Sequence, residues 1–165
     1  HGSGNIGATN TFRVLGARLG GAAFACDFAK GLVPVLAARA LEMGTYTTIA
    51  CGVAAILGHL FSVFLRFRGG KGVATSTGVF LGLAPWATLI AAVVFGLVFW
   101  RTRIVSIASL TAAAALTLAV FLLPLVPGIA IAAPVQWVAP AVAVLIVWKH
   151  RANIRRLLKG AENKF

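Results

Sequence analysis

The chain has 165 residues, of which 60% are hydrophobic and 11% charged, and its fifteen Lys and Arg face three acids for a net charge of +12. Soluble domains are about half apolar and about a quarter charged, so this composition excludes an ordinary soluble domain and points into a bilayer. A nucleic-acid partner is disfavoured because no soluble basic domain is present to carry one, and anionic lipid or an anionic substrate explains the excess charge better.

Residues 1–19, "HGSGNIGATNTFRVLGARL", are polar and Gly-rich and predict a loop leading into a short helix. Apolar segments follow at 20–41, interrupted by Asp27, Lys30 and Pro34, and at 46–65, which ends before Arg66 and Arg68. Two short apolar runs cover 73–84, closed by Pro85, and 86–100, ending at Trp100. A clean segment at 104–123 stops at "PLVPG", and a last one covers 135–148. Beyond it, "KHRANIRRLLKGAENKF" reads as a basic amphipathic tail.

A span needs about 20 apolar residues, a length several of these segments approach. The loops near 13–18, 66–71, 101–103 and 149–159 are basic, whereas those at 42–48 and 124–134 carry no Lys or Arg. Counting 73–84 and 86–100 as two short spans puts every basic loop on one side, which the positive-inside rule makes the cytoplasm. The expectation is therefore an all-α, polytopic integral membrane bundle of about six segments, two of them short. It forms a single domain over 1–165: a cytoplasmic substrate loop at 1–19, membrane segments at 20–148 and a cytoplasmic basic tail at 149–165. No internal repeat is evident, so an inverted-repeat transporter gains no support. Cys26 and Cys51 lie in apolar segments and read as small buried hydrophobes, with neither a disulfide framework nor a zinc site implied. No metal or other cofactor is expected.

Three polar islands interrupt this apolar chain. The first, "FRGGKGVAT" (67–75), holds two cations, three glycines and no acid. Amides at Gly69, Gly70 and Gly72 can turn inward as an anion-binding nest, because glycine lacks a Cβ. A helix beginning near Val73 adds its positive end, Lys71 a mobile charge and Thr75 a hydroxyl in the first turn. This is not a Walker A loop, since Gly72 rather than Ser or Thr follows the lysine. The plain alternative is a cytoplasmic turn carrying positive-inside charge.

The second island, "GSGNIGATN" (2–10), is followed by Arg13. Its glycines, Gly4 among them, permit close approach of backbone to a ligand, while Ser3, Asn5, Thr9 and Asn10 offer neutral hydrogen bonds. Equally, Ser3 or Asn5 serves as a helix N-cap and the glycines as a flexible terminus. In the third island, "HRANIRRLLKG", His150 and Asn153 are three apart and share one helical face, amid Arg151, Arg155, Arg156 and Lys159. A helix resting on acidic headgroups accounts for the cations but leaves His150 and Asn153 unexplained. Glu162 reads as a structural partner for one of these cations. His59 reads as a helix-packing histidine, and Asp27 and Lys30, as i, i+3 neighbours, as mutual charge compensation.

Taken together, "SGNIGATN", "GHLFSVFLRFRGGKGVAT" and "HRANIRRLLKGAE", in this order and spacing, resemble the bacterial acyl-phosphate:glycerol-3-phosphate acyltransferases, the PlsY family. The resemblance runs through the whole chain. It implies a seven-helix integral membrane enzyme of the bacterial inner membrane with its site facing the cytoplasm. Such an enzyme moves a fatty acyl group from acyl phosphate to the sn-1 hydroxyl of glycerol 3-phosphate. The family's first helix precedes the "GSGN" stretch, so six segments are expected here. By position the resemblance makes Ser3 and Arg13 substrate contacts, Gly69, Gly70, Lys71 and Gly72 the phosphate-holding loop, and His150 and Asn153 polar contacts near the reacting centre. Asp27 and Glu162 become structural. The family usually has proline where Ser62 stands, which softens any kink near His59.

Both substrates are phosphate anions, so a site holding them must cancel like charge, a task Arg13, Lys71 and the 150–156 cluster can perform. The three islands are thus expected to fold into one cationic cup. A base for the glycerol hydroxyl is harder to find. GxSxG is absent, and neither His59 nor His150 is followed five positions later by Asp, since those positions hold Phe64 and Arg155. Arginines beside His150 oppose its protonation, and a phosphate oxygen of a bound substrate is the favoured proton acceptor. The competing reading is a membrane anion transporter or lipid-phosphate-binding protein. A transporter should place its polar groups near the bilayer midplane, whereas here they cluster at segment ends, apart from Asp27 and Lys30.

Overall fold

The computed structural model describes residues 6–165, and seven α-helices with two short 3₁₀ turns account for the regular structure among them. The chain divides into two compact units, His1–Leu83 and Ala84–Phe165.

The first unit contains α1 (Ala8–Ala40), α2 (Gly44–Leu60), a 3₁₀ turn at Val63–Leu65 and α3 (Val73–Leu83). Helix α1 is broken at Gly16, whose φ of 83° and ψ of 179° are open to glycine and costly for other residues. The arm at 8–15 is the short helix the sequence predicts. It turns back on the longer arm, where Phe12 lies against Gly20 so closely that a side chain there would strike its ring and its backbone. Pro34 withdraws one backbone donor from the middle of the long arm.

Helices α1 and α3 cross at close range, and glycines are the reason. A methyl group on Gly31 would strike the Thr75 carbonyl, and one on Gly78 would strike the Phe28 carbonyl. Without a hydrophobic drive between helices in lipid, backbone approach of this kind supplies the packing contact. Val35, Ile56, Leu60, Val79 and Phe80 fill the core beside the crossing and are buried. Helix α3 has eleven residues, about 16 Å of rise against a hydrocarbon core of about 30 Å. At its far end Arg39 Nη1 donates to the Gly82 carbonyl at 2.7 Å, placing a cation at the negative pole of the helix.

The second unit contains α4 (Pro85–Thr102), α5 (Val105–Leu122), a 3₁₀ turn at Leu123–Leu125, α6 (Ala133–Lys149) and α7 (Arg151–Leu158). Arg103, at φ 58°, makes the tight corner between α4 and α5. The core is rich in small side chains, with Ala87, Ala91, Ala108, Ala113 and Ala139 all buried. The end of the chain folds back on this corner: Phe165 N donates to the Arg103 carbonyl at 2.8 Å, and its ring meets Phe99 edge-on at 5.9 Å.

Among the described residues, four stretches are long and apolar enough to cross a membrane: Ala8–Ala40, Gly44–Leu65, Pro85–Thr102 and Val105–Leu125. Val73–Leu83 and Ala133–Lys149 are apolar but shorter. The helical segments fall where the hydropathy pattern puts them, including the break at Pro85 that separates α3 from α4. Many large apolar side chains face outward, among them Phe24, Trp86, Leu97, Trp100 and Trp137, as a lipid-facing surface requires.

Candidate active site

In the first unit the candidate residues gather at the start of α3. After the 3₁₀ turn, Arg66 and Phe67 both adopt positive φ, 50° and 63°, which costs about 1 kcal/mol or more at each non-glycine residue. The bend is closed by Phe67 N donating to the Ser62 carbonyl at 2.9 Å. It delivers the chain into Gly69, Gly70, Lys71 and Gly72. Gly70 N donates to the His59 carbonyl at 3.2 Å, so the loop leans on the end of α2. Gly72, at φ 83°, turns the chain into α3, and its carbonyl accepts Ser76 N at 2.8 Å.

Two hydroxyls in the first turns of α3 are unusual. Thr75 is 0% exposed and Ser76 4%, and neither Oγ1 nor Oγ has a hydrogen-bond partner. By contrast, several other helical Thr and Ser bond the carbonyl four residues back, as Thr77, Thr88, Ser109 and Thr117 do. An unsatisfied buried hydroxyl costs about 1–3 kcal/mol, which a protein seldom retains without a use. Half-buried Lys71 and the positive end of α3 complete a turn suited to an anion.

Arg13, Thr9 and Asn10 lie on the short arm of α1, all three half-buried. The arm is fastened at its start by Asn10 N and Thr11 Oγ1, both donating to the Gly7 carbonyl. Ser3, Gly4 and Asn5 lie outside the described residues.

In the second unit His150, at the α6–α7 junction, and Asn153, in the first turn of α7, are both buried. His150 Nδ1 donates to the Ile146 carbonyl at 2.8 Å, which fixes the ring and puts its proton on Nδ1. Asn153 Nδ2 donates to Glu162 Oε1 at 2.5 Å, and that oxygen also accepts Ser106 Oγ at 2.9 Å. The other carboxylate oxygen accepts Arg156 Nε at 2.6 Å. Burial alone would raise the Glu162 pKa, but hydrogen bonds from Asn153, Arg156 and Ser106, together with the Arg156 charge, outweigh it and hold the carboxyl below its ordinary value. Arg151 stacks over Trp148 at 4.5 Å and donates to the Trp148 carbonyl at 3.0 Å.

The model of the family described as "Glycerol-3-phosphate acyltransferase" matches residues 1–160. The chain belongs to the glycerol-3-phosphate acyltransferase family. Relatives of that name are 49% identical in Geotalea daltonii and 50% in Geobacter metallireducens, each match covering 99% of this chain and 81% of the relative. A third, in Fusobacterium nucleatum, is 45% identical over all of this chain and 82% of its own length. Among solved structures, crystal forms of PlsY, an integral membrane glycerol 3-phosphate acyltransferase, superpose with TM-scores of 0.88 and 0.87 at 38% identity. They cover 99% of this chain and 80% and 81% of theirs, one being the glycerol 3-phosphate form of PlsY and the other its lysophosphatidic acid form. The acyltransferase of this family is a multi-pass membrane protein of α-helices.

The sequence pattern pointed to the glycine loop, Lys71, Thr75, His150 and Asn153, and the structure puts the first three on one turn and the last two on another. It missed Ser76, which carries no motif of its own beyond a hydroxyl one residue after Thr75. Glu162 was expected to pair with a cation and does so through Arg156, but its hold on Asn153 and Ser106 had no visible sign in the sequence.

Proposed function

We propose that this chain transfers a fatty acyl group from acyl phosphate to the sn-1 hydroxyl of glycerol 3-phosphate, yielding 1-acylglycerol 3-phosphate and inorganic phosphate. The observation that carries the reading is the start of α3: a glycine turn, Lys71 and two buried, unpartnered hydroxyls at the positive end of a helix. Such a turn recognises a phosphate monoester, and the relatives' name supplies the class of molecule bearing it. The superposing PlsY structures, a glycerol 3-phosphate form and a lysophosphatidic acid form, correspond to an acceptor and a product of this chemistry and support the reading.

In the reaction the glycerol hydroxyl oxygen attacks the acyl carbonyl carbon, the bond from that carbon to the phosphate oxygen breaks, and phosphate leaves with the electron pair. Acyl phosphate is already activated, so the protein's contribution is placement and charge. Cations aimed at phosphoryl oxygens lower the barrier as charge grows on the leaving group. We assign Lys71, Gly69, Gly70, Gly72, Thr75 and Ser76 to phosphate binding, and Ser3, Gly4, Asn5, Thr9, Asn10 and Arg13 to the substrate segment preceding and opening α1. His150 and Asn153 act near the reacting centre. The hydroxyl proton passes to a phosphate oxygen of a bound substrate. A second reading makes His150 the base, since its Nδ1–H bond to the Ile146 carbonyl orients the ring with Nε2 as the nitrogen that would take the hydroxyl proton. Replacing His150 with Gln separates them: a modest loss supports the phosphate route, and a collapse in kcat restored by imidazole supports the histidine. We assign the site to the cytoplasmic face of the inner membrane, a reading the distribution of basic loops supports.

The test is incubation of the purified protein in detergent with labelled glycerol 3-phosphate and palmitoyl phosphate. One acylated glycerol phosphate per phosphate released supports the reading. Turnover with acyl thioester but none with acyl phosphate would overturn the donor assignment, and binding without turnover would return the transporter alternative.

A further inference from the structure

We propose that Asp27 and His59 are positioning residues for the glycine-rich loop, acting as a relay from α1 through α2 to Gly69 and Gly70. The proposal rests on the phosphate-binding reading of that loop. Asp27 Oδ1 accepts Lys30 Nζ at 2.5 Å and lies 3.5 Å from His59 Nδ1, with the histidine side chain 7% exposed and the carboxylate 17%. An ionisable trio in an apolar helical environment is costly to keep, and simple charge cancellation needs only Asp27 and Lys30. His59 is the member that reaches the loop.

Its two ends do different things. Nδ1 faces Asp27, while Nε2 and Cε1 lie directly against Gly70, where any side chain would collide with the ring. The His59 carbonyl accepts Gly70 N at 3.2 Å, and it also lies so close to Gly69 that a Cβ there has no room. Two consecutive glycines therefore follow the end of α2, Gly70 against the His59 ring and Gly69 against the His59 and Leu60 carbonyls. The carboxylate fixes the orientation of the imidazole, the imidazole forms a wall for Gly70, and the carbonyl anchors its amide. Amides aimed at a phosphate lose strength quickly when displaced, since about 1 Å of misplacement can cost about 100-fold in rate. The glycines at 69 and 70 thus serve contact with His59 as well as contact with ligand.

The experiment compares wild type, Asp27→Asn, His59→Ala, His59→Gln, Gly70→Ala and the double variant His59→Ala/Gly70→Ala, with Lys71→Met as the control. Readouts are KM for glycerol 3-phosphate, kcat and the melting temperature in detergent. His59→Ala is expected to raise KM about tenfold, Asp27→Asn to act in the same direction, and His59→Gln to recover part of the loss. Gly70→Ala should be severe alone and nearly silent on top of His59→Ala, because the colliding ring is gone. Unchanged KM in His59→Ala, or full additivity in the double variant, overturns the relay. If Lys71→Met also leaves KM and kcat unchanged, the phosphate-loop reading itself has failed; if Lys71→Met is impaired while His59→Ala is not, only the relay is lost.

Discussion

Asn153 and Glu162, nine residues apart, are joined by a hydrogen bond of 2.5 Å that decides which way the asparagine amide faces. Because a carboxylate only accepts, Nδ2 is committed to Glu162 and the carbonyl oxygen becomes the group directed elsewhere. Replacing Glu162 with Ala should release Asn153, Ser106 and Arg156 together. The expected cost is about 2–4 kcal/mol of stability and a loss of activity larger than the loss of folded protein, with Glu162→Gln falling between. Melting curves and turnover per folded molecule check this.

The same carboxylate sets an acid limit. The native Glu162 pKa lies below the ordinary value of 4.5, so its stabilising contribution is complete above that value and disappears as pH falls through the native pKa. Wild-type stability should therefore decline below about pH 4.5 as this contribution is withdrawn. In Glu162→Gln that part of the slope should vanish, a difference readable from melting temperatures across the acid range.

Thr75 offers a prediction in which stability and activity move in opposite directions. Its buried Oγ1 has no protein partner, so Thr75→Val removes an unsatisfied group while keeping the shape. The melting temperature should hold or rise, by the equivalent of about 1 kcal/mol. KM for glycerol 3-phosphate should rise several-fold, and parallel steady-state and melting measurements reveal the split. A fall in stability with unaltered KM would make Thr75 a packing residue.

The α1–α3 crossing is tested at Gly31. A methyl group there meets the Thr75 carbonyl, a backbone atom that no rotamer change can move aside. Gly31→Ala should cost about 1–3 kcal/mol and also disturb the adjoining glycine loop at the start of α3, whereas Gly21→Ala, which meets nothing within 4 Å, should be tolerated. Yield in detergent and KM report the two effects.

How much of this was legible beforehand depends on the distance over which each feature acts. The glycine turn, the break at Pro85 and the basic tail are local, and residue type alone exposes them. The contact between Asp27 and His59 joins two helices, and that between Ser106 and Glu162 spans 56 positions, so no periodicity announces either. His59 looked like an ordinary packing histidine because its role lies in what leans on it. Likewise, nothing in the sequence around Gly31 or Gly78 marks the carbonyls that face them across the helix crossing. Residues 8–15 form the short helix expected there, with the break confined to Gly16, but nothing in the sequence marks the contact of Phe12 with Gly20 that folds this arm back.

The most direct test of the central claim is equilibrium binding of labelled glycerol 3-phosphate to the purified, detergent-solubilised chain and to Lys71→Met. If the turn that opens α3 holds the substrate phosphate, wild type saturates at one ligand per chain and the variant binds at least about tenfold more weakly at an unchanged melting temperature. Equal affinity in the two proteins would contradict it.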